Sequence, residues 1–277
     1  MTKITASEVN KLRKQTGAGM MDCKKALVEA DGNFDEAVDI LRKKGQKVAA
    51  KRADRETSEG VVLSITTDNN KFGAVMSLKC ETDFVAKNND FVMLASDIIK
   101  LGLNNKVTNI ESLKSLKFNT EITVDEKLTQ QTGVIGEKIE LSNFKFVEAE
   151  YVKEYIHTGN KLASIVAFNS SPENIDEVGK NIAMQIAAMN PIALDEKQVS
   201  KEIVDKEIEI GKDLARQEGK PENMLEKIAT GRLKKFFKEN TLVNQLYIKD
   251  SKMTVGQYLK EIDANLNIVS FERVSLT

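Results

Sequence analysis

Residues that could perform covalent chemistry are scarce in this chain of 277 residues. Its single histidine, His157, lies in a predicted turn between two stretches that alternate apolar and polar residues. No serine or cysteine stands at a recognisable spacing from it, so a nucleophile activated by histidine is not predicted. The pattern favours an exposed turn residue at His157 and argues against an enzyme, although paired carboxylates could form a site that the sequence does not reveal.

Metal and cofactor chemistry also lack the residues that they need. Cys23 and Cys80 are isolated from each other, whereas a structural zinc site needs about four thiolate or imidazole ligands. We therefore predict no metal, no cofactor and two reduced, buried cysteines. The N-terminus carries no apolar signal segment and the chain has no long apolar run, which predicts a cytoplasmic protein without membrane contact.

A glycine-rich turn, Gly17-Ala18-Gly19, precedes a predicted helix and resembles the start of a phosphate-binding turn. A dinucleotide fingerprint requires a third glycine at the position of Asp22, and a carboxylate there repels a phosphate. The turn instead places Met20 and Met21 at the start of the helix. Paired methionines are more often core residues, but methionine is also an adaptable contact residue, so both interpretations stay open.

The overall charge excludes one class of partner. The chain holds 41 Lys and Arg against 42 Asp and Glu, a net charge of −1. Because contacts to a phosphate backbone require a basic face, nucleic acid is not predicted as a direct partner.

An aromatic ring beside a carboxylate stands at a connection between a strand and a helix. Thr82-Asp83-Phe84-Val85 follows the predicted strand Phe72 to Leu78 and precedes the predicted helix Phe91 to Leu101. Thr or Asp is an ordinary N-cap. Residue type alone favours a buried Phe84, and the alternative is a ring presented to a partner. The comparable connection later in the chain, Asn169 to Pro172, has no such pair, so the ring is not a requirement of the repeated scaffold.

The first 55 residues predict a helical N-terminal bundle with a linker. Ser7 is the expected cap of a helix that ends at Thr16, and helices follow from Met20 to Ala30 and from Phe34 to Lys44. Three short helices with tight turns resemble a ubiquitin-associated-type bundle. The charged, alanine-rich stretch after them favours a helical linker.

The rest of the chain predicts an α+β fold with a repeated antiparallel β/α core. A strand–turn–strand–helix pattern occurs once in residues 56–148 and again in residues 149–277, which we expect to form two subdomains. Residues 121–147 favour strands or a helix. The charge-rich stretch 195–239 predicts a protruding helical hairpin inserted in the second subdomain. Val269 to Val274 predicts a final strand.

Two motifs resemble those of a known family. Residues 80–91, which contain Thr82-Asp83-Phe84-Val85, and the segment from Leu12 to Leu27 are similar to signatures of bacterial elongation factor Ts, and weaker similarity extends from Ile4 to the C-terminus. The resemblance implies a guanine-nucleotide exchange factor that binds elongation factor Tu in its GDP-bound and nucleotide-free forms. Such a factor performs no covalent chemistry; it binds the nucleotide-free protein more tightly, and by linkage nucleotide weakens it equally.

The resemblance also implies which residues contact the partner. Phe84 would wedge between helices of the nucleotide domain of elongation factor Tu, assisted by Asp83, and would thereby disturb the magnesium ion and the phosphate loop that hold GDP. Thr82 and Val85 complete that motif. The further implied contacts are Arg13, Met20, Met21, Ile135 and His157.

The resemblance does not define the oligomeric state of this chain or the role of a module that longer members carry. In some members the hairpin mediates dimer contacts, so a homodimer through residues 195–239 is a possible arrangement. Longer members carry an additional C-terminal helical module without a counterpart before Thr277, and its contribution to binding is not assumed here.

Two other functions stay open at this point. A protein-binding adaptor without exchange activity would use the same architecture and leave GDP release unchanged. An uncharacterised enzyme would require a pocket with clustered carboxylates.

Overall fold

The computed structural model describes residues 4–276 and shows an α+β chain with small antiparallel sheets. The helices are α1 Ala6–Thr16, α2 Met20–Glu29, α3 Phe34–Lys51, α4 Asp83–Ala86, α5 Asn89–Asn104, α6 Ile110–Ser115, α7 Val124–Ile135, α8 Ile175–Met189, α9 Lys201–Gln217, α10 Leu225–Asn240 and α11 Val255–Ile262. The strands are β1 Glu59–Thr66, β2 Phe72–Cys80, β3 Glu140–Glu148, β4 Tyr151–Ile156, β5 Leu162–Phe168, β6 Leu246–Tyr247, β7 Asp250–Thr254 and β8 Ile268–Ser275.

Helices α1 to α3 form the predicted three-helix unit around a small core that includes Leu12 and Leu27. The first helix begins with a capping box, in which the Glu8 N–H donates to Thr5 Oγ1 (3.3 Å) and the Thr5 N–H donates to the Glu8 carboxylate (2.7 Å). The expected cap at Ser7 was wrong. The reciprocal pair of Thr5 and Glu8 satisfies two free backbone donors, and the helix begins earlier, at Ala6. The helical linker is confirmed as far as Lys51.

The third helix also joins the N-terminal unit to the core. Its C-terminal half packs along α7, and the backbones meet at Gly45 and Gly133. A Cβ at Gly133 would collide with the Cα of Gly45, so a side chain at that position cannot coexist with the observed spacing of the two helices.

The two predicted hairpins are present, and each contributes to a three-stranded antiparallel sheet. The strand orders are β1-β2-β3 and β4-β5-β8, so the predicted final strand returns to the second sheet. The first sheet packs on α5 and the second sheet packs on α8. A separate apolar core lies between each sheet and its helix. The opposite faces of the sheets pack on each other through small and β-branched side chains, among them Val62, Val75 and Ile165. Residues 121–147 supply both a helix, α7, and most of a strand, β3.

The charge-rich segment forms the predicted helical hairpin, with α9 and α10 packed side by side. Its apolar contacts with the body lie at the base, where Val199 and Phe237 are buried. Ion pairs such as Arg232–Glu218 (2.6 Å) connect the two helices near their free end. Within residues 4–276, no helix combines the length and the apolar character needed to cross a membrane.

Candidate partner-binding site

The connection between β2 and α5 is a short helical turn, α4, whose two sides face in opposite directions. Thr82 is its N-cap, and the Val85 N–H donates to Thr82 Oγ1 over 3.5 Å. Val85 packs against the core of the first sheet, and Ala86 is buried. Because successive helical residues are rotated by about 100°, the inward direction of Val85 and Ala86 turns Phe84 outward.

The side chain of Phe84 is 83% exposed, the largest exposed fraction of any large apolar side chain in the described residues. The prediction of a buried ring from residue type alone was therefore wrong, because Val85 and Ala86 occupy the covered side of the turn. Full burial of a phenylalanine is worth roughly 1.5–3 kcal/mol. That favourable free energy is not realised within this chain and is available to a partner surface.

Asp83 is ionised and paired with a cation on the next turn. Lys87 Nζ donates to Asp83 Oδ2 at 2.7 Å, and both side chains are largely exposed. The hydrogen bond and the charge of Lys87 lower the pKa of the Asp83 carboxyl. Since exposed ion pairs contribute about 0–1 kcal/mol, this carboxylate contributes little to the fold and can accept hydrogen bonds from another molecule.

A reciprocal pair of carboxylates holds the start of the turn. The N–H and the hydroxyl of Thr82 both donate to Glu137, at 3.0 and 2.7 Å, while the Lys138 N–H donates to Glu81 at 2.6 Å. Arg52 Nη1 contacts both oxygens of Glu81 at 2.8 Å. Burial raises the pKa of Glu81, but the bonds from Lys138 and Arg52 outweigh it and the pKa is lowered overall. We call Glu81, Thr82, Glu137 and Lys138 the carboxylate clasp.

Sequence reasoning missed the part that Glu137 and Arg52 take in this arrangement. The only signal was the position of Glu137 directly after Ile135 and Gly136, where a family contact was implied. Arg52 and Glu137 are far from Glu81 in the sequence, so no local pattern could have paired them.

Cys80 lies beneath the turn as a protonated thiol. Its side chain is fully buried, and its Sγ donates to the Thr82 carbonyl at 3.2 Å. Burial, with the negative charge of Glu137 as a smaller cause, raises the pKa of Cys80 to about 12. Both cysteines are buried and free of disulfides, as predicted.

Met20 and Met21 are both exposed, at 54% and 64%, on the first turn of α2. The interpretation of these methionines as core residues was wrong, because Cys23, Ala26 and Leu27 occupy the inward face of the helix. Asp22 is paired with Lys44 at 2.5 Å.

Arg13 is exposed near the end of α1, where its carbonyl accepts the N–H of Gly17. Gly17 has a φ of +71° and closes the helix in the left-handed conformation.

An open groove of about 440 Å³ is bordered by three segments that contain predicted contacts. Gly17 lies at one wall, and Ile135, half-buried, lies at another. Asn88, at the end of the turn that carries Phe84, and the exposed Met93 of α5 line the same groove. The N-terminal motif, the Phe84 turn and Ile135 therefore border one continuous surface region.

His157 lies at the turn that follows β4. It is exposed, and its Nδ1 is 3.0 Å from the hydroxyl oxygen of Tyr155. The Val62 N–H donates to the Asn160 carbonyl in the same turn (2.6 Å), which attaches the turn to the first sheet. The part of the chain that the structure describes contains no group of three or more His, Cys, Asp or Glu side chains arranged to hold a metal ion.

Taken together, the fold and these surfaces define a class of α+β protein that exposes a large apolar side chain on a well-anchored turn. Comparison with known proteins gives the family. The family model for elongation factor Ts matches residues 81–277. The chain is 57% identical over 276 residues to elongation factor Ts of Christiangramia forsetii and 55% identical over 276 residues to that of Flavobacterium psychrophilum, with 100% of each chain covered. It is 47% identical over 273 residues to that of Porphyromonas gingivalis, covering 99% of this chain and 98% of the relative.

The chain belongs to the elongation factor Ts family. This family consists of guanine-nucleotide exchange factors of protein biosynthesis, and membership implies nucleotide exchange on elongation factor Tu rather than catalysis of a chemical reaction.

Proposed function

We propose that this chain releases GDP from elongation factor Tu by inserting the ring of Phe84 between helices of the nucleotide domain. The shift of these helices would disturb the magnesium ion and the phosphate loop. The nucleotide would thereby lose its strongest electrostatic contacts in that site. The observation that carries the proposal is the 83% exposed ring on a turn that is otherwise attached to the core.

Asp83 supports the ring at the same interface. Its carboxylate is ionised and bonded only to an exposed lysine among the contacts found for it, so it can accept backbone N–H groups of the partner. These donors lie near an anion site, and their capture by Asp83 would compete with the bound phosphates.

One ring is not sufficient for exchange. Moving an equilibrium from 1:99 to 99:1 requires about 5.5 kcal/mol of differential binding, more than the burial of one phenylalanine. We assign the remainder to a broad interface that includes Thr82 and Val85 beside the ring, and the separate contacts Arg13, Met20, Met21, Ile135 and His157. The groove that joins the N-terminal motif to Ile135 supports a contact surface of that breadth.

The architecture behind this interface is proposed as three units. Residues 1–55 form the ubiquitin-associated-like bundle and linker, residues 56–148 the first core subdomain, and residues 149–277 the second, with the hairpin 195–239 inserted. Separate apolar clusters within the three ranges support these boundaries.

Phe84→Ala should reduce stimulated release of fluorescent GDP from elongation factor Tu by at least tenfold, because the lost burial of the ring is worth more than 1.4 kcal/mol. The melting temperature should stay close to that of the wild type, since the ring contributes little to the core. Leu246→Ala, which removes another exposed apolar side chain far along the chain, is the matched control and should retain exchange.

Three results would contradict the proposal in different ways. No acceleration of GDP release by the wild-type chain would favour the adaptor function. A collapse in melting temperature with normal exchange per folded molecule would show that Phe84 acts in the fold. Equal losses for Phe84→Ala and Leu246→Ala would show that the effect is not specific to the ring.

A further inference from the structure

We propose that Glu137 is a positioning residue for exchange, which holds the Phe84 turn in its presenting conformation through the carboxylate clasp. The inference rests on the proposed function, because it concerns how the ring of Phe84 is presented. Glu137 itself is half-buried behind the turn and bonds only to Thr82 among the hydrogen bonds found for it.

The first sheet ends just before the Phe84 turn. The pairing of β2 with β3 stops at Lys79 opposite Glu140. Beyond this pair, the segment after β2 and the segment before β3 are joined by side chains. The Glu137 carboxylate accepts from the Thr82 N–H, and the Glu81 carboxylate accepts from the Lys138 N–H. Side chains thus replace the backbone ladder over the last residues before α4, and they prevent that end of the sheet from separating.

The Thr82 hydroxyl is directed toward Glu137. The carboxylate oxygen of Glu137 is the acceptor, so the short contact of 2.7 Å from Thr82 Oγ1 uses the hydroxyl proton. The oxygen lone pairs then face the Val85 N–H, whose donation at 3.5 Å is long for a cap. Glu137 therefore orients the hydroxyl that caps α4. Because this cap is already weak, loss of Glu137 would loosen α4.

The clasp is connected to the N-terminal unit. Arg52, directly after α3, contacts both oxygens of Glu81, and Lys138 Nζ donates to the carbonyls of Ala53 and Arg55. The turn, the start of β3 and the end of the N-terminal unit are therefore joined by one polar network. Such a network fixes the Phe84 turn relative to the surface that carries Met20 and Met21.

The absence of tryptophan from the chain provides a direct probe. Phe84→Trp introduces a single fluorophore on the turn, and its time-resolved anisotropy reports local motion without any partner present. In this background, Glu137→Gln should increase the amplitude of fast motion of the indole, because an amide replaces one acceptor oxygen with a donor. In the chain with Phe84, the same substitution should lower stimulated GDP release at saturating factor by about tenfold.

Two further variants separate the clasp from general effects of charge. Glu148→Gln, which removes an exposed carboxylate at the other end of β3, should change neither reading. Thr82→Val removes the hydroxyl without altering Glu137 and should loosen the indole similarly, whereas Thr82→Ser should preserve the wild-type anisotropy. Thr82→Val removes the other partner of the same hydrogen bond. It therefore tests the inference even if Glu137→Gln fails to fold.

Unchanged anisotropy and unchanged exchange in Glu137→Gln would overturn the inference. Lost exchange with unchanged anisotropy would also overturn it, since Glu137 would then act by touching the partner. If the wild-type chain fails to accelerate GDP release, the proposed function fails, and the anisotropy still decides whether the clasp holds the turn.

Discussion

Phe84 and Val85 are adjacent residues with opposite environments, and that difference is the main residue-scale feature of the candidate site. Val85 contacts the core of the first sheet, while Phe84 lies in solvent. Asp83 and Lys87 form an exposed pair beside the ring. A single helical turn thus contains both residues that pack on the core and residues that face solvent.

Asp83→Ala is expected to lower stimulated GDP release while leaving the stability close to that of the wild type, because an exposed ion pair contributes little to stability. Exchange assays and urea unfolding on the same preparation measure the two effects. Asp125→Ala, which removes another exposed first-turn carboxylate paired with a lysine, is the control with an equal change in charge. An unchanged exchange rate for Asp83→Ala would count against its role.

The buried thiol of Cys80 predicts a loss of stability in alkaline solution. The unfolded chain loses this proton near the ordinary pKa of 9.0, whereas the folded chain keeps it to about 12. Between these values the unfolded state binds fewer protons, so the free energy of unfolding falls as pH rises, by at most about 1.4 kcal/mol per pH unit. Below pH 9.0 the contribution is fully present.

Comparison with Cys80→Ala isolates this effect from the other groups that titrate in the same range. The stability of the wild type relative to the variant should decrease steadily from pH 9 to pH 11 in urea unfolding, because only the wild type carries the thiol. A difference that does not vary with pH would mean that the thiol titrates alike in both states.

At the scale of elements, the N-terminal unit depends on the contact of α3 with α7. Gly45 and Gly133 allow the two backbones to meet. The relative position of Met20 and Phe84 therefore depends on a helix crossing that has no room for a side chain.

Gly133→Ala should destabilise the protein by about 1–3 kcal/mol, because its methyl group would overlap the backbone of α3. The control is Gly231→Ala in α10, where a Cβ meets nothing within 4 Å. That control should be neutral or stabilising by up to about 1 kcal/mol, since alanine favours a helix over glycine. Thermal unfolding measures both, and faster proteolysis between α3 and β1 in Gly133→Ala would locate the damage. Equal behaviour of the two variants would contradict the proposed tight crossing.

At the scale of the whole molecule, the two sheets form one body and the hairpin extends from it. The exposed residues Ile203, Ile210 and Leu214 lie along one face of α9 at helical spacing. These three side chains stay partly exposed within the described chain, so a homodimer through the hairpin would form on this face.

Self-association through the hairpin should appear as a sedimentation coefficient that rises with protein concentration. Ile210→Lys should shift the association to higher concentration, because it places a charge in the apolar stripe. Asp205→Lys, on another face of the same helix, should leave it unchanged. A constant monomer mass across the concentration range would exclude the dimer, and GDP release would be unaffected by that outcome.

Local patterns determined a large part of this protein. Hydrophobic periodicity predicted the three N-terminal helices, both hairpins, the final strand and the charged helical hairpin, because each of these is specified by residues close together in the sequence. Residue types also predicted the buried cysteines. Helix starts were less well determined, as at Thr5, because two neighbouring residues can each serve as the cap.

Only the tertiary structure decided which side chains of these elements stay exposed. Residue type favoured a buried Phe84 and left Met20 and Met21 open between core and surface. All three are exposed, because other residues of the same short helices already fill the inward face. Glu137 and Arg52 reach the Phe84 turn from distant parts of the chain, and no local period records such contacts. The sequence by itself determined the elements and the motif at residues 82–85. Long-range packing decided that its ring faces solvent, because burial depends on which surfaces meet after folding.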